Sequence, residues 1–218
     1  MKRYWTADLH FGHANIARYC NRPSLRKTDV DEKGNWVSDV AALACAERMD
    51  NFLIKNFNMR VKPEDLVVHV GDFINRGMVK GTPGLKNNPQ DYIACLNGSW
   101  TLTLGNHDRN NKVKAAATHL FTKISHFNVF VSHYPIENGN MYDRGLVEYV
   151  LNNTDFQLCG HVHNAWQYKF HNHKHGNYLM YNVGVDVQKY IPISDDEVIK
   201  AYMMILRNKT NTTSRPTA

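Results

Sequence analysis

The fold class of this chain is decided by the stretch Leu66-Val67-Val68-His69-Val70-Gly71-Asp72. The run before the glycine is mostly β-branched and shows no regular alternation of polar and apolar residues. Such a run is typical of a strand buried on both faces of a parallel sheet. The glycine and aspartate that follow favour a loop. We therefore expect a buried parallel strand whose carboxyl end leads into a polar loop.

Similar short apolar runs, each followed by polar residues, recur on both sides of this stretch. They lie at residues 3–7, 100–104, 127–131 and 156–159. Segments with helical spacing of apolar residues lie between them, and the longest begins after Ser38, a residue suited to capping a helix. Shorter helical segments are predicted at residues 89–96, 112–117 and 146–151. This alternation predicts an α/β fold with largely buried sheets.

The length of the chain limits how many domains it contains. Its 218 residues are enough for one substantial core and too few for two ordinary enzyme domains joined by a linker. We predict a single domain over residues 1–206. Residues 207–218 are polar, contain a late proline and have no apolar face, so we predict that they form a flexible tail.

The composition argues against disordered and membrane classes. The chain is 43% hydrophobic and 21% charged, close to ordinary globular proteins. No run approaches the roughly 20 apolar residues of a spanning helix, and no apolar run of signal-peptide length follows Met1, so a cytoplasmic protein is expected. The net charge of +6 would suit a polyanionic partner, but solubility alone also explains it. The cysteines, which have no C-x-x-C spacing, are interpreted as reduced and structural: Cys20, Cys45, Cys95 and Cys159.

Histidine, aspartate and asparagine cluster where the apolar runs end. Taken singly, each cluster has an ordinary structural explanation, such as a helix cap or a turn. Taken together, the clusters all follow predicted strands, and binding sites in α/β folds form outside the carboxyl ends of strands. The oxygen and imidazole donors at these positions are Asp8, His10, Asp72, Asn106, His133, His161 and His163.

This donor set contains no thiolate, which favours divalent cations in a reactive centre over a structural zinc site. We predict two ions, with Mn²⁺ preferred and Fe, Ni, Co or Zn²⁺ as alternatives. A carboxylate between two cations roughly 3.5 to 4 Å apart lets them share a water and lowers the pKa of that water towards neutrality. Hydrolysis then needs no serine or cysteine nucleophile.

The motifs occur in the order Asp-x-His, Gly-Asp, Gly-Asn-His-Asp, His and Gly-His-x-His. This order resembles the signature of the calcineurin-like metallophosphoesterase superfamily. The resemblance spans residues 8–163 and extends to residues 182–186, which are similar to those of small bacterial and phage-type members. It implies a four-layer α/β sandwich of two mixed β-sheets flanked by helices, with a dimetal site at the carboxyl ends of the strands.

The resemblance also implies a role for each donor. The ligands of the first ion would be Asp8, His10 and His163. The ligands of the second ion would be Asn106, His133 and His161. Asp72 would bridge the two ions. Asn106 is also a predicted phosphate contact, and as a neutral ligand it leaves more positive charge for the phosphoryl transition state than a carboxylate would.

Four further side chains are predicted around this centre. His107 follows a ligand directly, so its ring is expected on the substrate side as a proton donor to the leaving oxygen. The resemblance implies that Asp108 orients His107; a local hydrogen-bonding role in the turn is the alternative. Arg76 lies in a segment similar to the second box of serine/threonine protein phosphatases, which predicts a phosphate contact. His13 is predicted to support the ligands or contact the substrate, with simple packing as the alternative.

Two later segments are open to a functional interpretation. His171, His173 and His175 lie close together, but their polar surroundings favour an exposed loop between strands over an additional metal site. Residues 182–186 lie near the site in the family that the chain resembles. A structural strand-to-turn role for them is equally compatible with the sequence.

The reaction that these residues predict is in-line hydrolysis of a phosphate ester. We favour a phosphodiester, from a small nucleotide or cyclic nucleotide, with loops 21–36 and 80–89 selecting the substrate. A phosphomonoesterase or a nuclease with the same centre is an alternative, although no segment interleaves aromatic with basic residues as a single-strand platform does. The alternative of another class is a non-catalytic scaffold, which the presence of His107 disfavours. The predicted partner is a small phosphorylated molecule, with nucleic acid possible and no membrane.

Overall fold

The computed structural model describes residues 1–75, 86, 88–137, 141–174 and 176–213, with the side chains of 210–213 excepted. The fold is α/β, with two mixed β-sheets flanked by helices. The fold class predicted from the sequence is therefore confirmed. Within the described part of the chain, no helix is both long and apolar enough to cross a membrane.

The first sheet contains four strands. They are β1 (Arg3–Thr6), β2 (Leu66–Val70), β3 (Ser99–Thr103) and β9 (Ile193–Ser194). Their order in space is β3-β2-β1-β9. β1, β2 and β3 run parallel, and β9 pairs antiparallel with β1. The stretch that decided the fold class thus forms an interior parallel strand, as predicted.

The second sheet contains five strands. They are β4 (His119–Ile124), β5 (Phe127–Ser132), β6 (Phe156–Cys159), β7 (Tyr168–His173) and β8 (Gly176–Asn182). Their order is β4-β5-β6-β8-β7. β5, β6 and β8 are parallel, while β4 and β7 pair antiparallel at the two edges.

The described helices connect these strands. They are α1 (Ala14–Tyr19), α2 (Asp39–Arg60), α3 (Pro89–Ile93), α4 (Arg144–Asn153) and α5 (Asp195–Thr213). The hydroxyl of Ser38 accepts a hydrogen bond from the Ala41 amide at 3.1 Å, which confirms the predicted cap of α2. Asp143 caps α4 in the same way, through the Leu146 amide.

Alternate faces of the two sheets bury different clusters, which gives four layers. Side chains such as Trp5 and Val70 of the first sheet pack against Val131 and Leu158 of the second. The opposite face of the first sheet packs on α1 and α2, and the opposite face of the second packs on α4. Successive side chains of a strand point to opposite faces, so each buried strand serves two clusters. The packing of sheet on sheet brings the carboxyl ends of both sets of parallel strands together.

The predicted helix at residues 112–117 is wrong. The Ala116 amide donates to the Leu102 carbonyl at 2.8 Å, and the Leu104 amide donates to the Ala117 carbonyl at 3.0 Å. The segment therefore extends alongside β3, because long-range backbone pairing overrides the weak local preference of alanines for a helix.

Two further expectations need correction. α5 continues through Thr213, so the first part of the tail predicted at residues 207–218 is helical; in it, Lys209 lies 3.9 Å from the centroid of the Phe170 ring. His171 and His173 lie on β7 rather than in a loop, because the hairpin pairs this segment with β8. His175 and residues 214–218 are outside the described residues. The single domain stays a prediction.

Candidate metal centre

The structure brings together the loops that follow β1, β2, β3, β5 and β6. The backbone amide of His161 donates to both carboxylate oxygens of Asp8 at 3.1 Å, although the two residues are 153 positions apart. Nε2 of His133, from the second sheet, lies 3.3 Å from Oδ2 of Asp72, from the first. The Asn106 amide oxygen lies 3.1 Å from Nε2 of His133 and 3.2 Å from Nδ1 of His161. The candidate site is therefore built by loops from both sheets.

The backbone at this site is unusual in its conformation. Five of the predicted metal ligands have positive φ angles, between 48° and 72°. They are Asp8, His10, Asp72, His161 and His163. Non-glycine residues pay a free-energy cost in the left-handed region, and such residues cluster at functional sites. The loops thus hold these side chains in positions that ordinary strand ends would not give them.

Two glycines allow the loops to approach closely. A Cβ atom on Gly105 would lie 2.2 Å from Oδ1 of Asp72 and 2.3 Å from its backbone nitrogen. Gly71 has a φ of +82°, and a Cβ there would lie 2.6 Å from Nδ1 of His133. Side chains at either position would push Asp72 and His133 out of place.

Among the described residues, three overlapping groups of His and Asp side chains form candidate cation sites. Within each group, the potential ligand atoms all lie within 4.8 Å of one another. The groups are Asp8–His10–His163, His10–Asp72–His107 and Asp8–Asp72–His133. Asp72 belongs to two groups that otherwise share no residue, which is the arrangement expected of a bridging carboxylate.

His10 shows directly that these residues fit a cation. Both ring nitrogens are buried and lack a hydrogen-bond partner among the described residues. The Asp72 carboxylate oxygen lies 3.5 Å from Nε2, beyond ordinary hydrogen-bond length. Burial lowers the pKa of His10 well below its usual value, so the ring is neutral and has a free lone pair. An unpaired buried imidazole is costly, and a bound cation would supply the missing partner.

The two aspartates differ in how they carry charge. Burial raises the pKa of Asp8 to about 6, because a carboxylate without a full counter-charge is unfavourable inside the protein. Burial would raise the pKa of Asp72 as well, but hydrogen bonding and charge from His133 hold it below the usual value. A cation between these carboxylates would relieve the cost at Asp8.

The orientation of His133 is set by the main chain. Its Nδ1 lies 2.9 Å from the Val70 carbonyl, which fixes Nδ1 as the donor and points Nε2 at Asp72 and Asn106. Although burial opposes its charge, the hydrogen bond to Asp72 raises the pKa of His133 to about 9. In the absence of a cation, a proton on Nε2 thus takes the place between these acceptors.

His163 is oriented by a side chain that the sequence did not assign. Its Nδ1 lies 3.0 Å from Oδ2 of Asp186, and this hydrogen bond outweighs burial and raises the pKa of His163 to about 10. Arg22 pairs with both oxygens of Asp186 at 2.8 and 2.9 Å and also donates to the Asp8 carbonyl at 2.8 Å. Arg22 and Asp186 therefore link the loop that carries Asp8 to His163, a predicted ligand from the second sheet.

These two residues differ in how far a sequence pattern marks them. Asp186 belongs to the segment at 182–186 that the resemblance placed near the site, and the structure places it there. Asn182 of the same segment donates to the His163 carbonyl at 2.9 Å. Arg22 lies in a loop predicted to select substrate, and no local pattern marks a buried arginine whose partner is 164 positions away.

Asp108 has the structural role that the sequence left as the alternative. One carboxylate oxygen accepts hydrogen bonds from the Asp72 and Gly105 amides at 2.8 Å, and the other accepts from the Phe73 amide at 2.9 Å. Its side chain therefore holds the loops after β2 and β3 together. The expected contact of His107 with Asp108 is replaced by one with Asn75: Nδ1 of His107 lies 3.0 Å from the side-chain nitrogen Nδ2 of Asn75.

His107 and His13 both face the candidate ligands. The His107 ring centroid lies 5.1 Å from that of His10, and its side chain is 37% exposed, so solvent and substrate can reach it. The His13 centroid lies 5.3 Å from that of His10 and 5.8 Å from that of His107, and burial lowers the pKa of His13 to about 4. His13 is thus a neutral ring beside the ligands. Arg76 lies outside the described residues.

Comparisons with known proteins identify the family to which the chain belongs. Residues 37–193 match the model of the calcineurin-like phosphoesterase superfamily domain. The chain is similar to the uncharacterized protein MJ1445 of Methanocaldococcus jannaschii, with 28% identity over 202 residues covering 91% of this chain and 90% of the relative.

Solved structures support the fold. The protein of unknown function AQ665 from Aquifex aeolicus superimposes with a TM-score of 0.57 at 22% identity, covering 92% of this chain and 98% of that chain. The phosphoesterase YfcE from E. coli gives a TM-score of 0.36 at 14% identity over 84% of this chain and 78% of that chain, too low to add weight. Because the family model covers more than half of its residues, this chain belongs to the calcineurin-like phosphoesterase superfamily.

Proposed function

We propose that the protein is a dimetal phosphodiesterase that hydrolyses a small nucleotide or cyclic nucleotide. Membership of the superfamily supports phosphoric-ester hydrolysis, and its members are generally metal-dependent. The observation that carries the proposal is the unpartnered, buried imidazole of His10 beside Asp8 and Asp72. In the part of the chain that the structure describes, His69 is also buried with unpartnered ring nitrogens, but only His10 has two aspartates beside it, so a cation bound there would offset the cost of burying the ring.

The assignment of ligands follows the predicted pattern. Asp8, His10 and His163 would hold one ion, and Asn106, His133 and His161 the other, with Asp72 between them. When bound, the two cations would supply positive charge for the phosphoryl transition state and a nucleophilic water at neutral pH. We keep Mn²⁺ as the preferred ion because carboxylate and amide oxygens suit it, and the imidazole donors retain Fe, Ni, Co and Zn²⁺ as alternatives. We keep the cytoplasm as the expected location.

His107 would act as the proton donor to the leaving oxygen. With the Asn75 amide donating to Nδ1, the ring proton lies on Nε2. Nε2 lies 3.9 Å from Oδ2 of Asp72, on the side of the ligands. Asn75 would keep the ring in this tautomer, and the exposure of the side chain gives an ester access to it. Arg76 remains a proposed phosphate contact.

A hydrolysis screen on metal-stripped and Mn²⁺-loaded protein tests the proposal. We expect bis(p-nitrophenyl) phosphate and cyclic nucleotides to be hydrolysed faster than p-nitrophenyl phosphate, and chelation to abolish the activity reversibly. Failure to hydrolyse any ester while two ions are bound would favour the non-catalytic scaffold. Preferential cleavage of oligonucleotides that falls steeply with salt would favour a nuclease.

A further inference from the structure

A cavity of about 410 Å³ opens directly beside Asn106. Its walls come from the loop after β3, the ends of β4 and β5, and the first turn of α4. Gly105, Asn106 and Arg109 line one side, and Tyr134, Tyr142 and Leu146 line another. Its volume lies within the range of small-molecule sites, which is roughly 300–1,000 Å³. Asn106 lines the cavity and also contacts His133 and His161 of the candidate metal centre.

Tyr134 forms the wall between this cavity and the candidate ligands. Its ring centroid lies 5.1 Å from that of His133 and 4.7 Å from that of His161, with the rings edge to face in both pairs. The same tyrosine lines the cavity. A group in the cavity is therefore separated from the second predicted ion by the thickness of one side chain.

The polar atoms of the cavity wall are largely paired with one another. The Tyr142 hydroxyl donates to the Tyr134 carbonyl at 2.6 Å and lies 2.6 Å from the Ser132 hydroxyl. The Asp143 carboxylate, which also borders the cavity, accepts the capping hydrogen bond from Leu146 at 2.9 Å. What remains for a ligand is mainly ring faces and aliphatic surface. Such a wall suits a flat, apolar group.

A positive charge lies at the same cavity. Arg109 lines it from the loop that also carries Asn106 and His107. A guanidinium attracts an anionic ester and stacks on planar rings. The combination of aromatic walls, one arginine and an adjoining phosphate-type centre matches a nucleotide better than a sugar phosphate or an inorganic anion.

We propose that this cavity binds the nucleobase of the ester, an inference that rests on the proposed function. Because the wall recognises the base by stacking and shape, it separates nucleotides from base-free phosphates. Discrimination between adenine and guanine is weak, because stacking on the rings of Tyr134 and Tyr142 tolerates either base. The cavity, rather than the ligand set, confers the preference for nucleotides.

Calorimetric titration of the Mn²⁺-loaded, full-length protein tests this assignment. AMP and ribose 5-phosphate carry the same phosphate and differ only in the base. We expect AMP to bind roughly tenfold more tightly or better, the lower range of measured base stacking. GMP should bind within about threefold of AMP. These comparisons use the unmodified protein and do not depend on a variant that folds.

A variant then locates the base. Leu146→Trp fills the cavity and is expected to bring the affinity for AMP down to that for ribose 5-phosphate. Tyr149→Trp is the matched control, because Tyr149 lies on the same helix, is exposed and does not line this cavity. It should keep the difference between the two ligands. Thermal unfolding of both variants shows whether the fold is kept.

Three results would overturn the inference. Equal affinity for AMP and ribose 5-phosphate in a protein that hydrolyses esters would remove base recognition and leave the proposed function standing. A preference for AMP that survives in folded Leu146→Trp would place the base elsewhere. Failure to bind either phosphate and to hydrolyse any ester would remove the proposed function, and the base site with it.

Discussion

The two sets of predicted ligands lie in different surroundings. Asp8 and His10 are fully buried, and the third member of their set, His163, is backed by the pair of Asp186 and Arg22. In the other set, Asn106 is exposed, and His133 is backed only by a backbone carbonyl. Asn106 also lines the cavity.

We infer from this difference that the two sets of ligands have different functions. Buried charged groups need partners to offset their desolvation, so the first set is anchored by side chains beneath it. In the second set, Asn106 meets the solvent, and the buried ring of His133 is oriented by a main-chain carbonyl. The first position should therefore hold its ion more tightly, and the second should respond more strongly to substrate.

Asp72→Asn should have the largest effect, because Asp72 is the predicted ligand shared by both ions. Loss of the bridging charge should abolish stoichiometric binding of two ions and lower kcat/KM by about 10³-fold or more, at or beyond the range for removal of one electrostatic donor. Metal content and hydrolysis of bis(p-nitrophenyl) phosphate measure both effects. Asp65→Asn, at a buried carboxylate that accepts hydrogen bonds from the backbone amides of Lys2 and Lys62, is the matched control. Normal metal content and turnover in Asp72→Asn would contradict the bridging role.

His107→Ala should have the next largest effect, and it should separate binding from chemistry. The ring faces the site but is no ligand in the proposed arrangement, so two ions should still bind. We expect kcat to fall by roughly 10²-fold for an ester with a poor leaving group, the lower range for general acid catalysis. The loss should be smaller for p-nitrophenyl esters, whose leaving group needs no proton. Equal losses for both esters would argue against proton donation.

Asp186→Asn should weaken metal binding only at the first set of ligands, Asp8, His10 and His163. Removing the carboxylate that orients His163 should weaken one ion roughly 10- to 100-fold and leave the other unchanged. Calorimetric titration of the metal-stripped variant with Mn²⁺ should then show two separated phases. Asp29→Asn, which disrupts a different Asp–Arg pair outside the predicted ligands, is the control. Equally weakened binding of both ions in Asp186→Asn would contradict the difference between the two sets of ligands.

Asp50→Asn should have the smallest effect on activity and a visible effect on the pH dependence of stability. Asp50 accepts hydrogen bonds from the Gly12 amide, in the loop that carries His10, and from the Tyr92 hydroxyl. Burial raises the pKa of Asp50 to about 7. The folded protein therefore binds a proton more tightly than the unfolded chain. Stability should fall as pH rises from about 4 to 7, by at most about 1.4 kcal/mol per pH unit from this group.

Thermal unfolding across this pH range checks the prediction. The variant should lose less stability than the wild type between pH 4 and 7, because asparagine does not ionise. Parallel curves for the two proteins would show that Asp50 is not the group that couples folding to protons.

Much of the fold and the predicted ligand set could be read from the sequence because both depend on local patterns. The strand at 66–70 is marked by its own residues, and Asp72 follows it directly. The strands then bring their ends together by packing, so the donors converge without any further signal. Ser38 was predictable as a cap for the same reason.

The features that were missed depend on contacts between distant residues. Arg22 meets Asp186 only after the whole chain has folded. Ala116 and Ala117 pair with β3 although the segment 112–117 has helical propensity, and Lys209 of α5 contacts the ring of Phe170. The cavity beside Asn106 likewise joins segments far apart in sequence. Such pairings leave no mark in a short stretch of residues.

The most direct measurement is a crystal structure of the Mn²⁺-loaded protein with anomalous scattering recorded at a wavelength that identifies manganese. We expect two anomalous peaks per chain, one beside Asp8, His10 and His163, and one beside Asn106, His133 and His161, with Asp72 contacting both. A single peak, or peaks away from these side chains in a protein that is active with Mn²⁺, would contradict it.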